Sequence, residues 1–254
     1  MTVETIEIAA NETAMLFSVY VPFASALLGG LLSLAGSALA TWRSNAYDKK
    51  VRNEALERSQ AESAFSAFSR LMDAHNTAAN LLLHINEMFR SAEESGGQEL
   101  EPWAKVMEIV GAEDEIEKID PSEIVFLIEE KKAELINDIP LIIRRVRNNA
   151  VSTQRYNDLR SETMKFMKDH ADETNLGEGT RVGSVFSGKA AKQAQMYEYQ
   201  LNNLLGQIIE NLEKDVVKSW DIVSAFNDAA SERFGNLYPK FKVEQRSNRS
   251  VEQT

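Results

Sequence analysis

Few side chains in this chain are of a type and spacing that could do chemistry. There are three histidines, His75, His84 and His170, and no cysteine. Without cysteine there is no thiolate nucleophile, disulfide or thiolate metal site. No histidine stands in an H-E-x-x-H or E-x-x-H pattern, the spacings that put metal ligands on one helical face. His75 falls on the apolar side of a helical pattern, which suits a core histidine. His170 lies in the polar stretch Lys168-Asp169-His170-Ala171-Asp172-Glu173. No serine occupies the G-x-S-x-G elbow of a hydrolase.

Gly183 to Lys189 reads G-x-x-x-x-G-K, the start of a phosphate-binding loop, but the next residue is Ala190. That position needs Ser or Thr to hold magnesium, and a buried strand should precede the loop. The preceding TNLGEGTRV is polar and glycine-rich, so the motif reads as a glycine loop opening a helix. The spacing of Gly177, Gly179 and Gly183 also misses a kinase-type loop by one residue. The sequence therefore predicts a protein that is not an enzyme, with no catalytic, metal or cofactor residue.

Charge narrows the partners. The formal net charge is −11, which argues against nucleic acid, because neutralising phosphates takes clustered Lys and Arg. Arg144, Arg145 and Arg147, near Arg155 and Arg160, make the most basic cluster in the second half. Such a run is usually a solvated helix face paired with acids. Its functional alternative is an anionic partner such as a lipid headgroup, nucleotide or acidic protein surface.

The elements that must position these residues begin with residues 13–42, which hold no Asp, Glu, Lys or Arg. A helix crossing a bilayer core needs about 20 apolar residues, so the stretch predicts a transmembrane helix. The acidic leader, residues 1–12, lacks the basic start of a signal peptide. Arg43, Lys49, Lys50 and Arg52 follow the span, and basic flanks face the cytoplasm. The expected topology is single-pass in the cell membrane, N-terminus outside. Trp42 and Arg43 suit an interface anchor, and Lys49, Lys50 and Arg52 suit contact with anionic lipid. Ser25, Gly29, Ser33, Gly36 and Ser37 give one side of the helix a small-residue face, which favours helix pairing in lipid.

Beyond the span, helical periodicity dominates. The spanning helix is expected to continue to about Glu94, with Phe65, Phe68, Met72, His75, Ala79, Leu82 and Phe89 facing a core. A short helix from Pro102 to Gly111 follows. Asp120-Pro121-Ser122-Glu123 is a helix start by its capping residues. A periodic segment then runs towards His170, kinked or divided at Pro140. Residues 173–188 read as a loop, and a last helix spans about Lys189 to Phe234. Residues 243–254 read as a disordered tail.

The fold expected is all-α: a transmembrane helix followed by an elongated cytoplasmic antiparallel helical bundle over residues 43–242. Function follows as membrane-anchored scaffolding, with the lipid bilayer, a second copy of the chain and a cytoplasmic protein as partners. The competing reading is a membrane-perturbing effector whose spanning helices assemble on a cytoplasmic signal.

Overall fold

A computed structural model of the chain describes residues 4–111, 116–176, 182–239 and 241, without the side chains of residues 4–24, 26, 27, 173–176 and 182–184. The fold is all-α, as expected, with one small hairpin. Its helices are α1 (Glu4–Glu94), α2 (Pro102–Lys105), α3 (Phe126–Glu129), α4 (Ala133–His170) and α5 (Gly188–Phe234). Single 3-10 turns cover Pro121–Ile124 and Gly235–Leu237.

The chain divides into two compact units, Met1–Arg58 and Ser59–Thr254. The first unit is helix, and every described side chain from 28 to 58 is exposed. Among the described residues no helix is long and apolar enough to cross a membrane. Most of residues 13–27, the first half of the expected span, lie outside the described side chains. Residues 243–254 lie outside the description altogether.

The second unit is a bundle of the C-terminal part of α1 with α4 and α5. Contacts fix the directions. Phe166 meets Tyr197, Arg145 meets Asp215 and Asp138 meets Lys218, so α4 and α5 are antiparallel. His75 meets Ser219 while Phe68 meets Tyr238, just past α5, so α1 is antiparallel to α5 as well. The core draws Leu71, Leu81 and Ile85 from α1, Ile139, Ile142 and Val146 from α4, and Leu201, Leu205, Ile208 and Phe226 from α5.

The α1 core face differs from the expected one. Ala61, Ala64, Ala67, Ala74 and Ala78 are buried beside Phe68, Leu71, Leu81 and Ile85. Of the seven residues expected there, Phe65 is exposed and Met72, His75, Ala79, Leu82 and Phe89 are only half-buried. Alanine carries little apolar area, so a periodicity read from large side chains points one step round the helix from the true contact line. Phe65 instead stacks on Phe241, with ring centroids 5.8 Å apart.

The connections differ more. The helix expected over 102–111 stops at Lys105, and the chain turns extended at Val106 (φ −100, ψ 114). Buried backbone outside a helix must find partners elsewhere, and α4 supplies them. The Asn157 side chain donates to the Ile109 carbonyl at 2.8 Å and accepts from the Ile109 N–H at 3.0 Å. The Tyr156 hydroxyl bonds the carbonyls of Trp103 and Val106, and Arg160 Nε donates to the Val106 carbonyl.

The helix start at Asp120 is present as a capping box, its side chain accepting from the Ser122 N–H at 2.8 Å and Glu123 accepting from the Asp120 N–H at 2.9 Å. The turn it opens is 3-10, however, and the break before α4 falls at Lys131 rather than at Pro140, which lies inside α4. Lys131 has φ 56, while its N–H bonds the Ile128 carbonyl and the Lys132 N–H bonds the Leu127 carbonyl. That pair of bonds ends α3 as a Schellman motif, with lysine where glycine is usual.

The loop expected at 173–188 contains two short paired strands among its described residues. β1 (Glu173–Leu176) pairs antiparallel with β2 (Val182–Val185), Thr174 opposite Ser184 and Leu176 opposite Val182.

Replacing Asn157 with Ala strips both partners from the Ile109 peptide. Unpartnered buried polar groups cost about 1–3 kcal/mol. Urea unfolding of the full-length chain, followed by tryptophan fluorescence, is expected to show that loss for Asn157→Ala. Exposed Gln154→Ala serves as the control, with little change expected.

Candidate functional site

The residues expected to associate in the membrane all lie on α1. Gly29, Ser33, Gly36, Ser37, Trp42, Arg43, Lys49, Lys50 and Arg52 are exposed, as is Ser25. Ser37 Oγ donates to the Leu34 carbonyl at 3.0 Å, and Thr41 Oγ1 donates to the Ser37 carbonyl at 2.8 Å. Both hydroxyls are thereby satisfied by their own helix, which lets them sit against apolar surroundings. A Cβ added at Gly29, Gly30 or Gly36 would meet nothing within 4 Å. Lys50 pairs loosely with Glu54, 3.8 Å away on the next turn.

Inside the bundle runs a polar seam that the sequence pattern did not single out. Asp215 is 1% exposed and accepts from Arg145 Nε and from Asn149 Nδ2, the latter at 2.8 Å. One turn along α5, Ser219 lies 2.8 Å from His75 Nδ1 and donates to the Val216 carbonyl at 3.1 Å. With His75 Nδ1–H donating to Ser219, each hydrogen of that chain is used once. Trp220 packs against the imidazole at 5.3 Å. Burial lowers the His75 pKa below its ordinary 6.5, against an opposing pull from the Val216 carbonyl. Burial likewise pushes the Tyr156 hydroxyl up to about 12, with Arg160 pulling the other way.

The basic cluster splits into two functions. Arg145 is committed to Asp215, and Arg160 to the Val106 carbonyl. Arg144 and Arg147 instead flank an open pocket of about 390 Å³ between α4 and the segment leading to Pro121. A wider groove of about 740 Å³, lined by Asp138, Asp221, Asp228, Glu134 and Glu232 together with Lys131, Lys132 and Lys218, carries mixed charge. Within it Lys218 is bonded to Asp138, which raises the lysine pKa.

The remaining motifs are dispersed. Gly183 and Ser184 stand in the β ladder opposite Asn175 and Thr174, and Gly188 opens α5 with φ 57. Backbone engaged in a hairpin cannot wrap a phosphate. His170 stacks on Phe166 and its Nδ1 lies 3.1 Å from the Phe166 carbonyl, a local helix-end contact. Among the described residues no group of three His, Asp or Glu side chains is placed to hold a metal ion. Comparison with protein-family models, curated proteins and solved structures finds no match.

Two outcomes test the seam. Arg145→Ala leaves the buried Asp215 carboxylate with only Asn149, and a buried polar group short of a partner costs about 1–3 kcal/mol. Asp215→Asn keeps an acceptor for Asn149 and frees the half-exposed Arg145 to water, so unfolding titrations are expected to rank Arg145→Ala as the more damaging.

For His75, the folded state resists the proton more than the unfolded chain does. Its contribution to stability is therefore full above pH 6.5 and fades as pH falls through that value towards the lowered folded pKa. The His75→Gln chain, measured between about pH 7.5 and about pH 5.5, is expected to lose less stability than wild type. An identical slope in both chains would remove His75 from the pH response.

Proposed function

We propose that this protein is a membrane-anchored helical scaffold. It is held by residues 13–42 and self-associates through the face formed by Ser25, Gly29, Ser33, Gly36 and Ser37. The observation that carries this reading is an apolar surface without a cover. Residues 13–42 have no charged side chain, and Leu28, Leu31, Leu32, Leu34, Leu39 and Trp42 are all more than half exposed around α1. A helix apolar on every side is stable in water only when buried, and lipid is the alternative solvent.

The glycines of the face add support. Glycine inside a helix costs about 0.5–1 kcal/mol relative to alanine, and no described residue requires its small size here. A second helix packed against this face would. Basic residues from Arg43 to Arg52 support an orientation with the N-terminus outside and the bundle in the cytoplasm, its helical surface open to a protein partner. The function is binding and assembly, not catalysis.

The empty space beside Gly29 makes the test clean, since a larger residue there does not strain the single chain. Full-length protein in membranes is expected to stay in the pellet after alkaline extraction and to give a defined crosslinked ladder. The Gly29→Leu/Ser33→Leu chain is expected to stay in the pellet and lose the ladder. Release into the supernatant would overturn the anchor, and an unchanged ladder would overturn the small-residue face.

A further inference from the structure

The pocket beside α4 combines three features that single out one kind of ligand. Its floor is aliphatic: Ile119, Ile124, Ile136, Ile139 and Ile143, of which Ile124, Ile139 and Ile143 are buried. Its rim is cationic, with Lys118 on one side and Arg144 and Arg147, one helical turn apart, on the other. No acid lines it. Its volume of about 390 Å³ falls within the range of about 300–1,000 Å³ typical of small-molecule sites.

The three cations have no ion pair or hydrogen-bonded acid among the described residues, in contrast to Arg70, Arg145 and Arg233 of the same unit. Three cations without a described counter-ion, over an apolar floor, repel one another and favour an anion. Arginine forks suit a carboxylate or phosphate in particular. Among the described residues no aromatic ring lines the pocket, so none offers a nucleobase a stacking surface. Pro140 also lines it and has no N–H for the carbonyl of Ile136, so the α4 ladder lacks a rung at the pocket wall.

We propose that this pocket binds one acyl chain of an anionic amphiphile. Its aliphatic tail lies on the isoleucine floor, and its carboxylate or phosphate head is held by Arg144, Arg147 and Lys118. The inference rests on the second unit alone and stands whether or not α1 spans a membrane. The head chemistry is shared by a free fatty acid and by an anionic membrane lipid, and the test separates these sources.

A diazirine-bearing octanoate is added to the full-length protein in a nonionic amphipol, and labelled peptides are mapped by mass spectrometry. Saturable labelling is expected within residues 118–124 and 136–147. Octanoate and octyl phosphate are expected to compete, whereas octanol and octyltrimethylammonium are not. The Arg144→Ala/Arg147→Ala chain, whose altered side chains are not in the core, is expected to keep its helical circular dichroism. Its octanoate affinity should fall by at least about tenfold, as loss of a charge-assisted bond implies.

Competition by phosphatidylglycerol vesicles but not by phosphatidylcholine vesicles would assign the site to a membrane lipid. Competition by octanoate with neither vesicle effective would assign it to a free acid. Labelling elsewhere, equal competition by octanol, or unchanged affinity in the folded double variant would overturn the proposal.

Discussion

Burying an extended backbone inside a helical bundle is the constraint on which much of the second unit depends. Each peptide group of the segment after α2 has left a helix and must bond something else. Three α4 positions on one side of the helix, Tyr156, Asn157 and Arg160, meet that demand at Trp103, Val106 and Ile109. Asn157 is the most economical, since its amide matches the backbone donor and acceptor of one residue, Ile109, together. Later in the chain, Lys118 and Ile119 face Ile136 to Arg147 of α4 across the pocket. Clasp and pocket are thus two stretches of the same helix.

The polar seam answers the same demand between helices. Asp215 and Ser219 lie one turn apart on α5, and each reaches a different neighbour: Arg145 and Asn149 on α4, His75 on α1. Apolar contacts alone tolerate sliding, since one isoleucine packs much as another does. Directed bonds at two adjacent turns are satisfied in one register only, which ties both partner helices to a common position along α5. This is the specificity use of buried polar groups, at some cost in desolvation.

Legibility in the sequence followed the size and periodicity of side chains. The last helix was readable almost to the residue, because Leu201, Leu205, Ile208, Leu212, Val223 and Phe226 mark its buried side with large groups. The end of α1 at Glu94 was readable from Gly96 and Gly97. The capping box at Asp120 was readable too, although the helix it opened was not α-helical. Three features were hidden for distinct reasons. An alanine contact line has almost no hydrophobic signature. A Schellman ending with Lys131 at the left-handed position lacks the glycine that normally announces it. The extended strap after Lys105 is decided by partners about fifty residues away, as its bonds to Tyr156 and Asn157 show, and no local pattern can reveal them. The arginine run was visible as a cluster, but its division between Asp215, the Val106 carbonyl and the open pocket depends on which way each side chain leaves α4.

The alanine line on α1 also bears on how the helix can be held at all. A long side chain gives up rotamer freedom when it is buried, at a cost of up to about 2 kcal/mol, whereas alanine has none to lose. Ala61, Ala64, Ala67, Ala74 and Ala78 therefore enter the core without that entropic cost, in exchange for modest apolar area. The groups covering them must come close to the helix backbone itself, leaving no room for a larger residue. The interface is thus inexpensive to order and sensitive to added volume.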